Sequence, residues 1–420
     1  MTLRPAAVSP NLALDQEVAR RRAAGAPVVH LGFGEARVPL HEGLTRALLD
    51  GAGRTAYGPV AGDPGALRAV AGYHARRRLP TEPGQVVLAP GSKPLLMALV
   101  AAVEGDVLLP CPAWVTYAPQ ARLLGRRATA VAVPAECGGV PDPDALARAV
   151  RAERKAGRRP RLLVLTLPDN PTGTLAPPSL VRRVCAVARE EDLIVVSDEI
   201  YRDLLHDPAT PFLSPAEAAP ERTVVTTGLS KTHALGGWRI GTARFPAGDL
   251  GTALRDRVLA TASEVWSGLA GPMRAVADYA FGEPPDLAGH VRAGARLHAG
   301  VTRAVHRVVV AAGADCRPPA GGFYVYPDFE PVREALAGHG AVDSASLERV
   351  LLERHGVAVL GGHHFGDDPR ALRFRAATSL LHGATDQQRR TALDSADPAG
   401  LPHVARELDR LAEALAKLTA

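Results

Sequence analysis

Between residues 86 and 246 the chain repeats one alternation, in which a short apolar run rich in β-branched residues is followed by a stretch of helical periodicity. The runs are VVLAP, DVLLP, TAVAVP, RLLVLTLP, LIVVSDEI, TVVTTG and RIGTARFP. Such alternation reads as a doubly wound, largely parallel sheet flanked by helices, and few other architectures accept it. Between the fourth and fifth runs, PPSLVRRVCAVAREEDL places Leu180, Val181, Val184, Val187 and Ala188 on one helical face behind a proline start, the pattern of a βαβ crossover. GGFYVYPDFE, SLERVLLERHGVAVL and the closing amphipathic VARELDRLAEALAKL predict a second, smaller α+β domain.

Composition excludes several classes of function. A chain of 420 residues suggests roughly two to three lobes. Lys plus Arg exceed Asp plus Glu by 49 − 44 = 5, but the basic residues are scattered and aromatics make up only 4%, so no nucleic-acid platform appears. Cys111, Cys137, Cys185 and Cys316 form no CxxC pair, which argues against a disulfide framework or zinc site and for reduced thiols. The first 25 residues lack the apolar run of a signal peptide, and no later run is long enough to cross a bilayer; a cytoplasmic enzyme with no membrane partner is expected.

In open α/β sheets, ligands gather beyond the carboxyl ends of the strands. The polar residues just past the apolar runs are therefore candidates for one shared site: Gly91, Ser92, Lys93, Trp114, Asn170, Asp198, Tyr201 and Lys231. Asp198 ends an apolar run in VVSDEIY, where a carboxylate is costly unless it caps the next helix or holds a cation. Lys231 also follows an apolar run; a lysine partly desolvated near other cations has a lowered pKa and attacks carbonyl carbon, although surface lysines are far commoner. APGSKPLLMAL reads as strand, glycine-serine turn and helix, a geometry that suits phosphate or a simple N-cap at Ser92. Arg239 offers a bidentate fork for phosphate or carboxylate, or is a surface arginine. Asn170 precedes a proline in LPDNPTG, which biases its backbone toward an extended form.

In this order the blocks resemble the fold-type I pyridoxal-phosphate enzymes, in particular the class I/II aminotransferase family. The resemblance runs from VVHLGFGE through TAYGPVAGDPGALRAVAGYH, APGSKPLL, PCPAWVTY, DNPTG, SDEIY, GLSKTHALGGWRIG and PAGGFYVY to LRFRAATS. It implies pyridoxal 5′-phosphate as cofactor, held by Lys231 as a Schiff base (an aldimine), with Lys231 then moving the proton between the substrate Cα and the cofactor. Asp198 would pair with the pyridine nitrogen, Asn170 and Tyr201 would bond the phenolic oxygen, and Trp114 would stack on the ring. Gly91, Ser92, Lys93 and Arg239 would surround the phosphate, with Ser230 as a further donor. Tyr57 would reach the phosphate of the neighbouring subunit, which implies a homodimer. Arg373 would clamp the substrate α-carboxylate, helped by Asn170 and the backbone near Gly34. The implied domains are 1–44 as arm and part of the small domain, 45–290 as the large cofactor-binding domain, and 291–420 as the small one. The implied activity moves an amino group between an amino acid and a 2-oxo acid.

The sequence also departs from the family pattern. GEARV stands where GEPDF is usual, so Arg37 faces either an anionic substrate side chain or solvent. GGHHFG replaces PGSxFG and sets His363 beside His364, but no third ligand has metal-site spacing, so no metal is expected. Ser263 stands where dicarboxylate-specific members keep an arginine, which argues against aspartate specificity in that form. Arg375, two residues beyond Arg373 and on the same strand face, reads as a supporting ion. The long passage 380–403 reads as surface decoration. A lyase or cyclase with the same cofactor ligands is the rival reading. An aminotransferase-like sensor domain would need a helix-turn-helix module, for which the chain leaves no room before the family's N-terminal arm.

Overall fold

The computed structural model describes residues 9–420 of the chain. Strand β1 (Val29–His30) lies outside the main sheet. The seven apolar runs become β2 (Val86–Ala89), β3 (Asp106–Cys111), β4 (Ala128–Ala132), β5 (Pro160–Thr166), β6 (Ile194–Asp198), β7 (Thr223–Gly228) and β8 (Gly241–Arg244). They form one sheet in the order β2-β8-β7-β6-β5-β3-β4. Strands β3 to β7 pair in parallel, whereas β8 is antiparallel to both β7 and β2. The reversal has a local cause. Between β7 and β8 the chain holds only the four-residue helix Leu229–Thr232 and a 3-10 turn, without the long crossover helix a parallel return requires.

Both faces of this sheet are covered. Leu95, Leu99 and Val258 pack on one face, and Leu146, Val150 and Val184 on the other, all essentially buried. Each such side chain removed from water contributes about 1.5–3 kcal/mol. The crossover helix is Pro178–Glu190, and its inner face is Leu180, Val181, Val184, Cys185 and Ala188. Val187, expected on that face, is only partly buried, and Cys185 fills the place instead.

The smaller lobe carries β9 (Tyr324–Val325), β10 (Val357–Ala358), β11 (Leu360–Gly361) and β12 (Phe374–Ala377). Strands β11, β12 and β9 make an antiparallel sheet, and β1 pairs in parallel with β10. Val29 and Leu31 therefore share a core with Leu297, Phe329, Leu347, Phe374 and Leu415. The helix Pro285–Ala311 spans 27 residues and gives Leu287 to the large-lobe core but Leu297, Val301 and Val305 to the small-lobe core, so residues 290 and 291 lie within one continuous helix.

The passage 380–403 is not decoration. Leu381 and Ala392 join the small-lobe core and His382 is fully buried, because the 3-10 turn Thr378–His382 and the helix Asp386–Asp394 fold back over the helix Pro285–Ala311. Among the described residues the four cysteines are free, and no helix is long and apolar enough to cross a membrane.

Candidate active site

Beyond the carboxyl ends of β5, β6 and β7 lies a cavity of about 570 Å³, roofed by Phe33, Gly34, Tyr324 and Arg375. Its floor is set by strand ends. Asp198 is the last residue of β6 and only 3% exposed. Tyr117 donates to its Oδ2 at 2.8 Å, while Oδ1 is buried without a well-formed hydrogen bond among the described residues. Burial pushes this carboxyl up to about 6, against the hydrogen bond from Tyr117. A buried carboxylate oxygen without a donor is costly, so the floor is complementary to a bound group that carries an N–H.

Lys231 sits in the short helix after β7, and its Nζ donates to the carbonyl of Gly34 across the cavity. Burial, and secondarily the charge of Arg375, push the ammonium down to about 8. The amine is thus poised to lose its proton near neutral pH.

The next wall suits an anion. Gly91 has φ +92°, and a Cβ there would lie 2.2 Å from Arg239 Nη2. A Cβ on Gly241 would lie 2.4 Å from the Ser92 nitrogen. Only glycine at both positions lets the turn, the N-terminus of helix Ser92–Ala102 and the Arg239 guanidinium converge. Among the described residues Arg239 makes one hydrogen bond, to the carbonyl of Gly236 at 2.9 Å. Lys93 is held below its usual pKa by burial and then by Arg239, and its ammonium lies 5.4 Å from the Trp114 ring. Trp114 meets Tyr117 edge-on at 5.2 Å, and Ser230 also lines the cavity.

On the small-lobe side, Arg375 is 2% exposed. It donates to Asn170 Oδ1 at 3.1 Å and to the carbonyl of Gly32 at 3.0 Å, and its Nε has no partner among the described residues. No carboxylate pairs with it among the described residues, and burial pushes its pKa below the usual arginine range. The hydroxyls of Tyr201 and Tyr324 lie 2.7 Å apart beneath it. A Cβ at Gly34 would stand 2.4 Å from the Tyr324 hydroxyl, so glycine keeps the roof closed.

The structure thus brings together Gly34, Ser92, Lys93, Trp114, Asn170, Asp198, Tyr201, Ser230, Lys231 and Arg239 around one cavity, with Gly91 packed behind it. It does not bring Arg373 there. That side chain pairs with Asp328 at 2.8 Å and Asp367 at 3.1 Å, and lines a separate cavity. The two arginines keep one register against β9, but two residues along a strand is roughly 6.6 Å, enough to put only Arg375 over the sheet edge. Tyr57 is 96% exposed and lines no part of its own chain's cavity. Arg37 pairs with Glu35 at 3.0 Å, and Ser263 is exposed and bonds Glu264. His363 and His364, for which the sequence offers no third group at metal-site spacing, have Glu348 beside them in the fold: from a different helix, it brings its Oε2 to 3.1 Å from His364 Nε2.

Tyr117, Tyr324 and Glu35 are among the cavity residues that the sequence does not single out. Tyr117 follows Trp114 by three positions, which would have pointed to it; nothing local marks the other two.

A sheet of this order, with a desolvated lysine and an unpaired carboxylate around an anion-ready turn, defines a fold-type I pyridoxal-phosphate transferase. The profile of the family described as aminotransferase class I and II matches residues 26–385. The chain is 31% identical to the aspartate aminotransferase of Geobacillus stearothermophilus over 389 residues, covering 89% of this chain and 92% of that one. It is 32% identical to the aspartate/prephenate aminotransferase of Thermus thermophilus over 369 residues, covering 85% and 89%. The solved structure of the Thermus thermophilus aspartate aminotransferase with maleate matches with a TM-score of 0.80 at 26% identity, covering 98% of this chain and 100% of that one. The chain belongs to the class I and II aminotransferase family and is a pyridoxal 5′-phosphate-dependent aminotransferase; the lyase or cyclase reading is not favoured.

Proposed function

We propose that this aminotransferase binds its coenzyme covalently through Lys231 and works as a cytoplasmic homodimer that moves nitrogen from an α-amino acid to a 2-oxo acid. One observation carries the reading: the buried Oδ1 of Asp198, without a well-formed hydrogen bond among the described residues, shares a cavity with the depressed amine of Lys231 and an anion-ready turn. When bound, pyridoxal phosphate supplies an electron sink for charge developing on the substrate Cα. Asp198 Oδ1 would accept a hydrogen bond from the pyridine N–H and hold that proton in place. Asn170 and Tyr201 would hydrogen-bond its phenolic oxygen, and Trp114 would cover its ring. Gly91, Ser92, Lys93, Ser230 and Arg239 hold the phosphate through backbone N–H groups, hydroxyls and cations.

Lys231 Nζ would serve as the base that takes the proton from the substrate Cα and as the acid that gives it back. Arg375, not Arg373, receives the substrate α-carboxylate: it is buried, held by neutral acceptors and has no ion-pair partner among the described residues. Gly34 leaves room beside it. Tyr57 reaches the phosphate of the second protomer, which accounts for a tyrosine left 96% exposed on its own chain. On this reading the chain divides into 1–44 as arm and part of the small lobe, 45–290 as the large lobe and 291–420 as the small one, with the helix Pro285–Ala311 running across the last boundary. Free cysteines suit a reducing compartment.

The test is a panel of single amino acids, aspartate first because the relatives are named for it. Added to the purified yellow enzyme, a true donor converts the coenzyme to its amino form and releases the matching 2-oxo acid. Ammonia release without that conversion overturns the reading.

A further inference from the structure

We propose that Glu348, His363 and His364 form a binding site for a borderline divalent cation such as Zn²⁺, at the rim of the cavity next to the active site. One ring nitrogen of each histidine and a carboxylate oxygen of Glu348 lie within 4.8 Å of one another. The imidazole rings stand 3.9 Å apart. Glu348 comes from the helix Ser344–His355 and the histidines from the 3-10 turn Gly362–Phe365, so the cluster is tertiary and independent of the roles proposed for Lys231 and Asp198.

The surroundings orient these groups as metal ligands are usually oriented. The Gly361 N–H donates to Glu348 Oε2 at 2.7 Å and fixes the carboxylate. Ser344 Oγ gives its one proton to the Arg373 carbonyl at 3.0 Å, so in its contact with His363 Nδ1, also 3.0 Å, the ring must donate. That tautomer leaves Nε2 of His363 with the free lone pair a cation needs. Gly361 permits the assembly, because a Cβ there would lie 2.7 Å from His363 Cε1 and 2.8 Å from Glu348 Oε2. Two imidazoles and a carboxylate suit Zn²⁺ or Co²⁺ better than Mg²⁺. Both rings line a cavity of about 900 Å³ together with Lys93 and Trp114, toward which a remaining coordination position would open. The same turn is tied to the active-site wall by the Ala113 N–H, which donates to the Phe365 carbonyl at 3.0 Å, one residue before Trp114.

The experiment titrates chelator-treated holoenzyme with Zn²⁺ alone, by calorimetry, against Glu348→Gln, His364→Asn and the double variant His363→Asn/His364→Asn. One tight equivalent is expected in the parent, weakened at least about tenfold in each single variant and absent in the double variant, with Mg²⁺ failing to compete. Absence of a stoichiometric equivalent in the parent, or unchanged affinity in the double variant, overturns the site. Should a variant lose its coenzyme, the parent's Co²⁺ absorption decides: the strong visible bands of a four-coordinate ion support the site, and the weak spectrum of the hydrated ion refutes it.

Discussion

Two cavities share the strand Phe374–Ala377 and the residue before it. In the one over the sheet edge, Arg375 is buried against the oxygens of Asn170 and Gly32, with no carboxylate partner among the described residues. In its neighbour, Arg373 is half-exposed and bonded to Asp328 and Asp367, which hold its pKa above the usual value. Residue type and spacing do not separate the two. The difference lies in what each guanidinium already holds: one is neutralised by the protein, whereas the other pays for burial and is compensated only when an anion arrives.

The sharpest way to probe the contrast is to remove groups from each side of it. Lys231→Ala is expected to cut turnover by about 10³-fold or more, measured with the best donor from the amino acid panel, while leaving the fold intact by circular dichroism. Arg375→Lys should lower kcat/KM by about 100-fold, chiefly through KM, since truncating a buried charge contact costs roughly 2–5 kcal/mol. Arg373→Lys should change KM less than about threefold and lower stability by about 1 kcal/mol at most, because its ion pairs are partly solvated. Equal KM effects from the two variants would erase the distinction between the cavities.

Tyr57→Ala is expected to weaken coenzyme binding by about tenfold, within the range of a lost hydrogen bond to a charged group. Mixed with Lys231→Ala protein under subunit exchange, it should regain activity, because each hybrid dimer holds one intact site. A mixture that stays inactive would remove Tyr57 from the partner's site.

The smallest effects are pH slopes of the coenzyme-free protein. Asp198 is raised from 3.8 to about 6 in the fold, so between those values the native state holds more protons than the unfolded one, and stability falls as pH rises through the window. Lys231 is lowered from 10.5 to about 8, so there the unfolded state holds more protons and stability rises with pH from about 8 to 10.5. Asp198→Asn and Lys231→Met should flatten these two slopes separately in thermal melts.

The floor of the site was legible because each of its groups follows directly on a strand that the apolar pattern already marks. Asp198, Asn170 and Lys231 inherit their positions from β6, β5 and β7, and Gly91 to Lys93 from the turn after β2. The roof was not legible in the same way. Arg375 was read as a supporting ion because the partners that neutralise Arg373, Asp328 and Asp367, lie elsewhere in the chain. Tyr324 and Glu35 lie in GGFYVYPDFE and GEARV, but nothing in those stretches separates them from their neighbours. The passage 380–403 was misjudged because few of its residues are apolar, yet Leu381 and Ala392 suffice to anchor it.

The amino-acid order by itself determined the doubly wound sheet, its crossover helix and the chemistry gathered at the sheet's carboxyl edge, since hydrophobic periodicity and strand-end position are local properties of a chain. Only the tertiary structure decided which arginine enters the cavity, that β8 runs against its neighbours, and that Glu348 meets His363 and His364. Those outcomes depend on how separate segments dock, where a few ångströms of strand travel or one short connection selects the partner of each charge.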